Sequence, residues 1–422
     1  MRVLLYGRRP SHWIAALFVA IALAVSTLSP ATAQSTPTVS DGEITNNFPQ
    51  GVTFRVSAKS DSPIETVRLR YKILPDGTQA SGRPDFKPAK SIDLSHALKV
   101  DDIYLPPGTI IEYHWEVTDA EGDVGESKPA SFFYDDIRFD WTPVEQGGVT
   151  IYYYSGSQGQ AQRMLDAAGE SIAEMSELMG TTVDFPVKVW IYDSTKDMRP
   201  ALQRKSATYE QSITTAGTRV ASDTVLVLGN ASFDTLRHEL THIVTAVAGE
   251  GPLGKMPAWL DEGTAVYGQG DPGGFKNAVD RAVDRGNVFS LRQITSYPGD
   301  PSAIELFYGQ SWSVVNYLNE TYGHEKSARL FAEIKSGKRM DSALEAAYGF
   351  DQDGLDNEWR ASLGLPPRDT PEPTSPDQPS PAGPTPSDGG TSSGVIVALI
   401  LGVVLLAGAI GFAGWRLARR LG

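Results

Sequence analysis

The stretch His238-Glu239-Leu240-Thr241-His242 decides the reading of this 422-residue chain. On an α-helix, residues four apart project from one face, so both imidazoles reach a single metal ion while Glu239 leans toward a water beside it. The flanking residues supply that helix. Asn230 and Ser232 are start signals, and Phe233, Leu236, Leu240, Val244 and Val247 recur with helical period before Gly249 ends the pattern. Immediately upstream, Thr224-Val225-Leu226-Val227-Leu228-Gly229 reads as a strand.

Zinc in a catalytic site takes three protein ligands and leaves a fourth position for a water whose pKa it lowers to about 7. The third ligand is sought downstream, in Pro257-Ala258-Trp259-Leu260-Asp261-Glu262-Gly263-Thr264-Ala265-Val266-Tyr267. Pro257 suits the first turn of a new helix, and Gly249-Glu250-Gly251-Pro252 with Gly254 reads as the loop before it. Either Asp261 or Glu262 could complete the site from that helix, although aspartate is the shorter side chain.

With these residues the chain resembles the gluzincin metallopeptidases, in particular bacterial peptidase-MA-like domains with a W-L-x-E-G segment. The resemblance covers roughly residues 146 to 365. It implies a zincin-like α+β catalytic domain and a peptide or protein substrate. His238, His242 and Glu262 would be the zinc ligands and Glu239 the general base. It also implies a tyrosine downstream of the glutamate ligand as donor to the reaction's oxyanion. Tyr308, in Glu305-Leu306-Phe307-Tyr308-Gly309-Gln310, stands there, although an aromatic at such a place also serves packing. His324 is the other conceivable donor, or a solvated histidine in a turn. In zincins the strand before the metal helix is a sheet edge that pairs with substrate backbone, which assigns that place to residues 224–229. The Gly-x-Met-Glu-Asn segment with which related aminopeptidases seize a free amino terminus does not occur, which favours an endopeptidase.

The ends of the chain point to the membrane. Arg2, Arg8 and Arg9 precede an apolar run from Trp13 to Val25, and Ala31-Thr32-Ala33 is a small-residue cleavage site, so residues 1–33 read as a secretion signal. Val395 to Trp415 carries no charge and as a helix is about 31 Å long, one hydrocarbon thickness. Arg416, Arg419 and Arg420 follow, which places the tail 416–422 in the cytoplasm and the catalytic part outside a bacterial cytoplasmic membrane. Residues 366–394, rich in Pro, Ser, Thr, Gly and Asp, read as an extended stalk. The absence of cysteine excludes thiol catalysis, and the net charge of −14 argues against nucleic acid or anionic lipid as partner. Glycines in the apolar run are ordinary for a single-pass anchor, and a monomer is expected.

Residues 38–137 have another texture. Gly51–Ala58, Thr66–Ile73 and Ile110–Val117 alternate as half-buried strands, separated by Pro75-Asp76-Gly77 and Pro106-Pro107-Gly108. An all-β immunoglobulin- or fibronectin-like sandwich is expected, serving as a spacer. The catalytic domain, 146–365, then opens with the strand Val149–Tyr154, a helix from about Gln160 to Met179 and the strand Val187–Tyr192. Further helices are expected over about Gly274–Arg285, Gln310–Tyr322, Glu325–Ile334 and Met340–Tyr348. The competing reading of the whole is a surface binding or adhesion protein on an inactive zincin-like fold.

Overall fold

A computed structural model describes residues 36–203, 216–252 and 256–368. The expected signal (1–33), the apolar span (395–415), the tail (416–422) and all of the stalk beyond Arg368 lie outside the described residues. Among the described residues, no helix is long and apolar enough to cross a membrane.

The N-terminal part is built on one long strand. Strands β1 (Thr38–Asp41), β2 (Thr45–Asn46), β3 (Gly51–Leu74), β4 (Thr78–Gly82), β5 (Ala89–Lys99), β6 (Thr109–Asp119), β7 (Val124–Glu126) and β8 (Ala130–Tyr134) form one antiparallel network. The first half of β3 pairs with β1 and β5, and the second half with β4 and β6. Its register breaks between Lys59 and Ile64, where the strand passes from one half-sheet to the other. Alternation along β3 and β6 turns Phe54, Val56, Leu69, Ile111, Trp115 and Val117 into a common core. The rings of Phe54 and Tyr113, one from each half, lie 4.8 Å apart.

The C-terminal part opens with β9 (Thr142–Gln146), a strand not anticipated before β10 (Val149–Tyr153). Helix α1 (Gln158–Met179) crosses over to β11 (Val187–Tyr192), and β12 (Gly217–Ala221) and β13 (Thr224–Leu228) complete a five-stranded sheet. The order is β12-β13-β11-β10-β9, with β10, β11 and β13 parallel and the two outer strands antiparallel. The resemblance assigned the sheet edge to residues 224–229, but β13 lies inside the sheet, between β12 and β11. The edge is β12. The physical reason was present in the residues: Thr224-Val225-Leu226-Val227-Leu228 is buried throughout, as suits a strand covered on both faces.

What covers those two faces sets the relation between the domains. Val187, Val189, Ile191, Val225 and Val227 point to one side, where α1 and the metal-motif helix α2 (Phe233–Gly249) pack on them. Trp190, Tyr192, Leu226 and Leu228 point to the other and share a continuous core with Phe54, Trp115 and Tyr134 of the sandwich. Trp190 stacks on Tyr152, and Phe139 of the linker stacks on Tyr154 at 4.0 Å. Fully buried Asp136 pins that linker, accepting from Tyr192 Oη at 2.9 Å and from Arg138. The N-terminal strands thus form a structural layer on the five-stranded sheet, and not a detached spacer.

Beyond α2 the chain is helical: α3 (Ala258–Gly268), α4 (Gly274–Asp284), α5 (Ile304–Tyr322), α6 (His324–Lys335), α7 (Met340–Tyr348) and α8 (Gln352–Ser362). Helix α5 starts earlier than periodicity suggested, so Tyr308 lies within it, and α8 was not expected. The domain also runs past its anticipated end at residue 365. The Arg368 guanidinium bonds Asp356 at 2.6 Å and the Val288 carbonyl at 2.8 Å, so the first residues assigned to the stalk are fastened to the domain.

Candidate metal centre

Local chemistry places the two histidines mid-helix. Ser232 caps α2, its hydroxyl accepting from the Thr235 N–H, and the apolar face seats Leu236, Leu240 and Ile243 under the sheet. His238, Glu239 and His242 fall on the buried side. Helix α3 is set against α2 and α5 by its own motif. Trp259 is fully buried in the helical core, and at Gly263 any side chain would collide with the Ser311 carbonyl 2.3 Å away. Between these two anchors Asp261 and Glu262 turn toward α2.

The outcome is a triangle of ligand atoms. His238 Nε2 and His242 Nε2 are 3.2 Å apart, and Glu262 Oε2 lies 3.3 and 3.5 Å from them. A tetrahedral ion at zinc's usual 2.0–2.1 Å from each ligand requires ligand atoms about 3.4 Å apart, so the three side chains fit one. Two further observations support the fit. Glu262 Oε2 is buried without a hydrogen-bond partner, which is costly for a carboxylate unless a cation neutralises it. The outer ring nitrogens are also engaged: His238 Nδ1 lies 2.9 Å from Gln269 Oε1 and His242 Nδ1 3.0 Å from Asp261 Oδ1. A carboxylate only accepts, so His242 Nδ1 carries the proton. With each Nδ1 held by its outer acceptor, the two Nε2 atoms are the ones left to face a cation.

These contacts separate the two neighbouring carboxylates. Glu262 faces the triangle, and Asp261 stands behind His242, where it also accepts from Thr245 Oγ1 at 2.7 Å. Burial alone pushes both carboxyls up and His242 down. The charges overcome it: His242 holds Asp261 and Glu262 below the usual carboxylate range, and they hold His242 well above the usual imidazole value.

Glu239 is buried, and its Oε2 accepts from the Arg219 main-chain N–H of β12 at 2.9 Å. Gly217 makes this approach possible, since a Cβ there would lie 2.8 Å from Thr235 and 3.1 Å from Glu239. The Arg219 side chain donates to the His242 carbonyl at 2.8 Å, tying the same strand to the helix a second time. Tyr308 is buried at the wall of the site, stacked on Phe275 with its ring 6.3 Å from that of His238. His324 is exposed at the start of α6, where its Nε2 meets Tyr267 Oη at 3.4 Å, and it does not join the group.

Sequence reasoning missed Tyr297, whose hydroxyl donates to Glu262 Oε1, and Gln269 behind His238. Neither carries a spacing signal: one sits in a loop and the other just past the end of α3.

Residues 167–364 match the family model of the Peptidase MA superfamily. No curated protein matches the chain. Among solved structures, an M1 zinc metallopeptidase from Deinococcus radiodurans is 12% identical, covers 78% of this chain and 92% of its own, and gives a TM-score of 0.34. OgpA from Akkermansia muciniphila is 16% identical over 24% of this chain and 30% of its own, with a TM-score of 0.19. BhCBM56 is 15% identical over 24% of this chain and 95% of its own, with a TM-score of 0.17. Likenesses this slight assign no activity.

Proposed function

We propose that the chain is a membrane-anchored, extracytoplasmic zinc metallopeptidase of the endopeptidase kind, with His238, His242 and Glu262 as zinc ligands and Glu239 as general base. The observation that carries this reading is the triangle of two imidazole nitrogens and one buried carboxylate oxygen without a hydrogen-bond partner. The Peptidase MA match over the same region supports a peptidase.

When bound, zinc supplies a Lewis acid for the scissile carbonyl and an acidified water. The protein's own part is proton handling and alignment. With Oε2 fixed by the Arg219 N–H, Glu239 has Oε1 to accept the proton of the attacking water and return it to the leaving amine. Alignment falls to β12. Leu228 N–H donates to the Ala216 carbonyl, so alternate residues face β13, and Gly217 turns both its main-chain groups outward and Arg219 its carbonyl, the Arg219 N–H being held by Glu239. An extended substrate would pair there. Tyr308 is assigned as donor to the developing oxyanion. Tyr308→Phe is expected to lower turnover by about 10²-fold, the scale of losing one such donor, with zinc still bound. Unchanged turnover would leave Tyr308 as packing.

The location rests on sequence: the leader at 1–33, the apolar run at 395–415 and the arginines behind it. The experiment for the function uses the full-length chain. It should hold about one zinc per molecule and cut unstructured peptides. A chelator should abolish cleavage and added zinc restore it. A protein that takes up no zinc and cuts nothing would favour the surface-binding reading instead.

A further inference from the structure

Glu262 has two oxygens, and the structure gives them different work. Oε2 completes the triangle with His238 and His242, whereas Oε1 is held by the Tyr297 hydroxyl. Nothing in the metal-binding motif requires the second contact, yet the fold goes to some length to make it. Pro257 caps α3 without a side-chain hydrogen bond, so the first N–H groups of that helix need other partners. Ala258 N–H donates to the Thr295 carbonyl at 2.9 Å and Trp259 N–H to the Ile294 carbonyl at 3.1 Å. The segment that caps the Glu262 helix therefore delivers Tyr297 two residues later, and the reach from cap to carboxylate is fixed by main chain. The segment is itself anchored. Gln310, fully buried, both donates to and accepts from the main chain of Phe289, and Arg292 bonds Asp353 at 2.8 Å. The Tyr297 ring packs against Phe307 at 5.1 Å, so the ring is seated as well as the main chain that carries it.

A carboxylate on zinc can bind through one oxygen or two. A second oxygen would fill the corner of the coordination sphere that a catalytic site keeps for its water. A hydroxyl that already donates to that second oxygen opposes the swing. Resting on the metal-centre reading above, we propose that Tyr297 is a positioning residue that confines Glu262 to one-oxygen ligation and so keeps the fourth position open. It acts through Glu262 and need not touch the substrate.

The test compares full-length wild type, Tyr297→Phe and Gln269→Ala, each loaded with zinc for affinity and with cobalt(II) for its visible spectrum. Tyr297→Phe keeps the ring and its packing and removes only the donor. It is expected to weaken zinc by about 10- to 100-fold, the usual effect of losing a group behind a ligand, and to move the cobalt spectrum from four- toward five-coordinate. Gln269→Ala removes the partner of His238 and should weaken zinc to a similar degree with a four-coordinate spectrum. The proposal is overturned if Tyr297→Phe matches wild type in both readouts, if the two variants change the spectrum alike, or if wild type is already five-coordinate. Wild type that takes up neither metal overturns the metal-centre reading itself, and this proposal with it.

Discussion

Glu239→Gln is expected to lower the rate of peptide cleavage by about 10²- to 10⁴-fold, the range for losing a positioned acid–base group. The substitution changes little else. Glutamine has the same shape, and its amide oxygen can still accept from the Arg219 N–H that now fixes Glu239 Oε2. Its nitrogen cannot take a proton, so proton transfer is lost while the strand-to-helix contact remains. Zinc content should stay near that of wild type, because Glu239 is outside the ligand triangle. Turnover of an unstructured peptide, measured beside zinc stoichiometry, separates these effects. Cleavage at the wild-type rate would remove Glu239 from the chemistry.

The second large effect is expected at the adjacent pair Asp261 and Glu262. Glu262→Ala deletes one of the three ligand atoms and leaves two imidazoles, so zinc affinity should fall by well over 100-fold. Asp261→Ala deletes only the acceptor behind His242, an outer contact whose loss costs about 10- to 100-fold. Two acids side by side on one helix thus predict two grades of damage, readable by competition with a chromogenic chelator. The reverse ranking would falsify the assignment of Glu262 over Asp261.

The centre of the site was legible in the sequence because helices repeat. His238, Glu239 and His242 lie on one face by spacing alone, and Trp259-Leu260-Asp261-Glu262-Gly263 sets two site residues between buried anchors within about a turn and a half. What spacing cannot convey is contact across the chain. Tyr297 reaches Glu262 from a loop, and Arg219 meets Glu239 from a strand that pattern reading passed over. Strand order was lost for a similar reason. The uniformly apolar run 224–228 announced a covered strand, but its antiparallel neighbour, with a glycine and an arginine on one face, has no periodic signal. The choice of Glu262 over Asp261 came from the resemblance and not from spacing, since both are carboxylates on the same turn.

The aromatic layer beneath the sheet has a consequence for how the protein can be divided. Trp190, Tyr192, Leu226 and Leu228 share one buried cluster with sandwich residues such as Phe54, Trp115 and Tyr134, beside Trp141 of the linker and Met198 and Ala201. A C-terminal half excised at the Asp136 linker would present that apolar sheet face to solvent, which invites self-association. Melting of either half should accordingly drag the other along as one cooperative unit, so the smallest autonomous folding body of this chain spans both architectures.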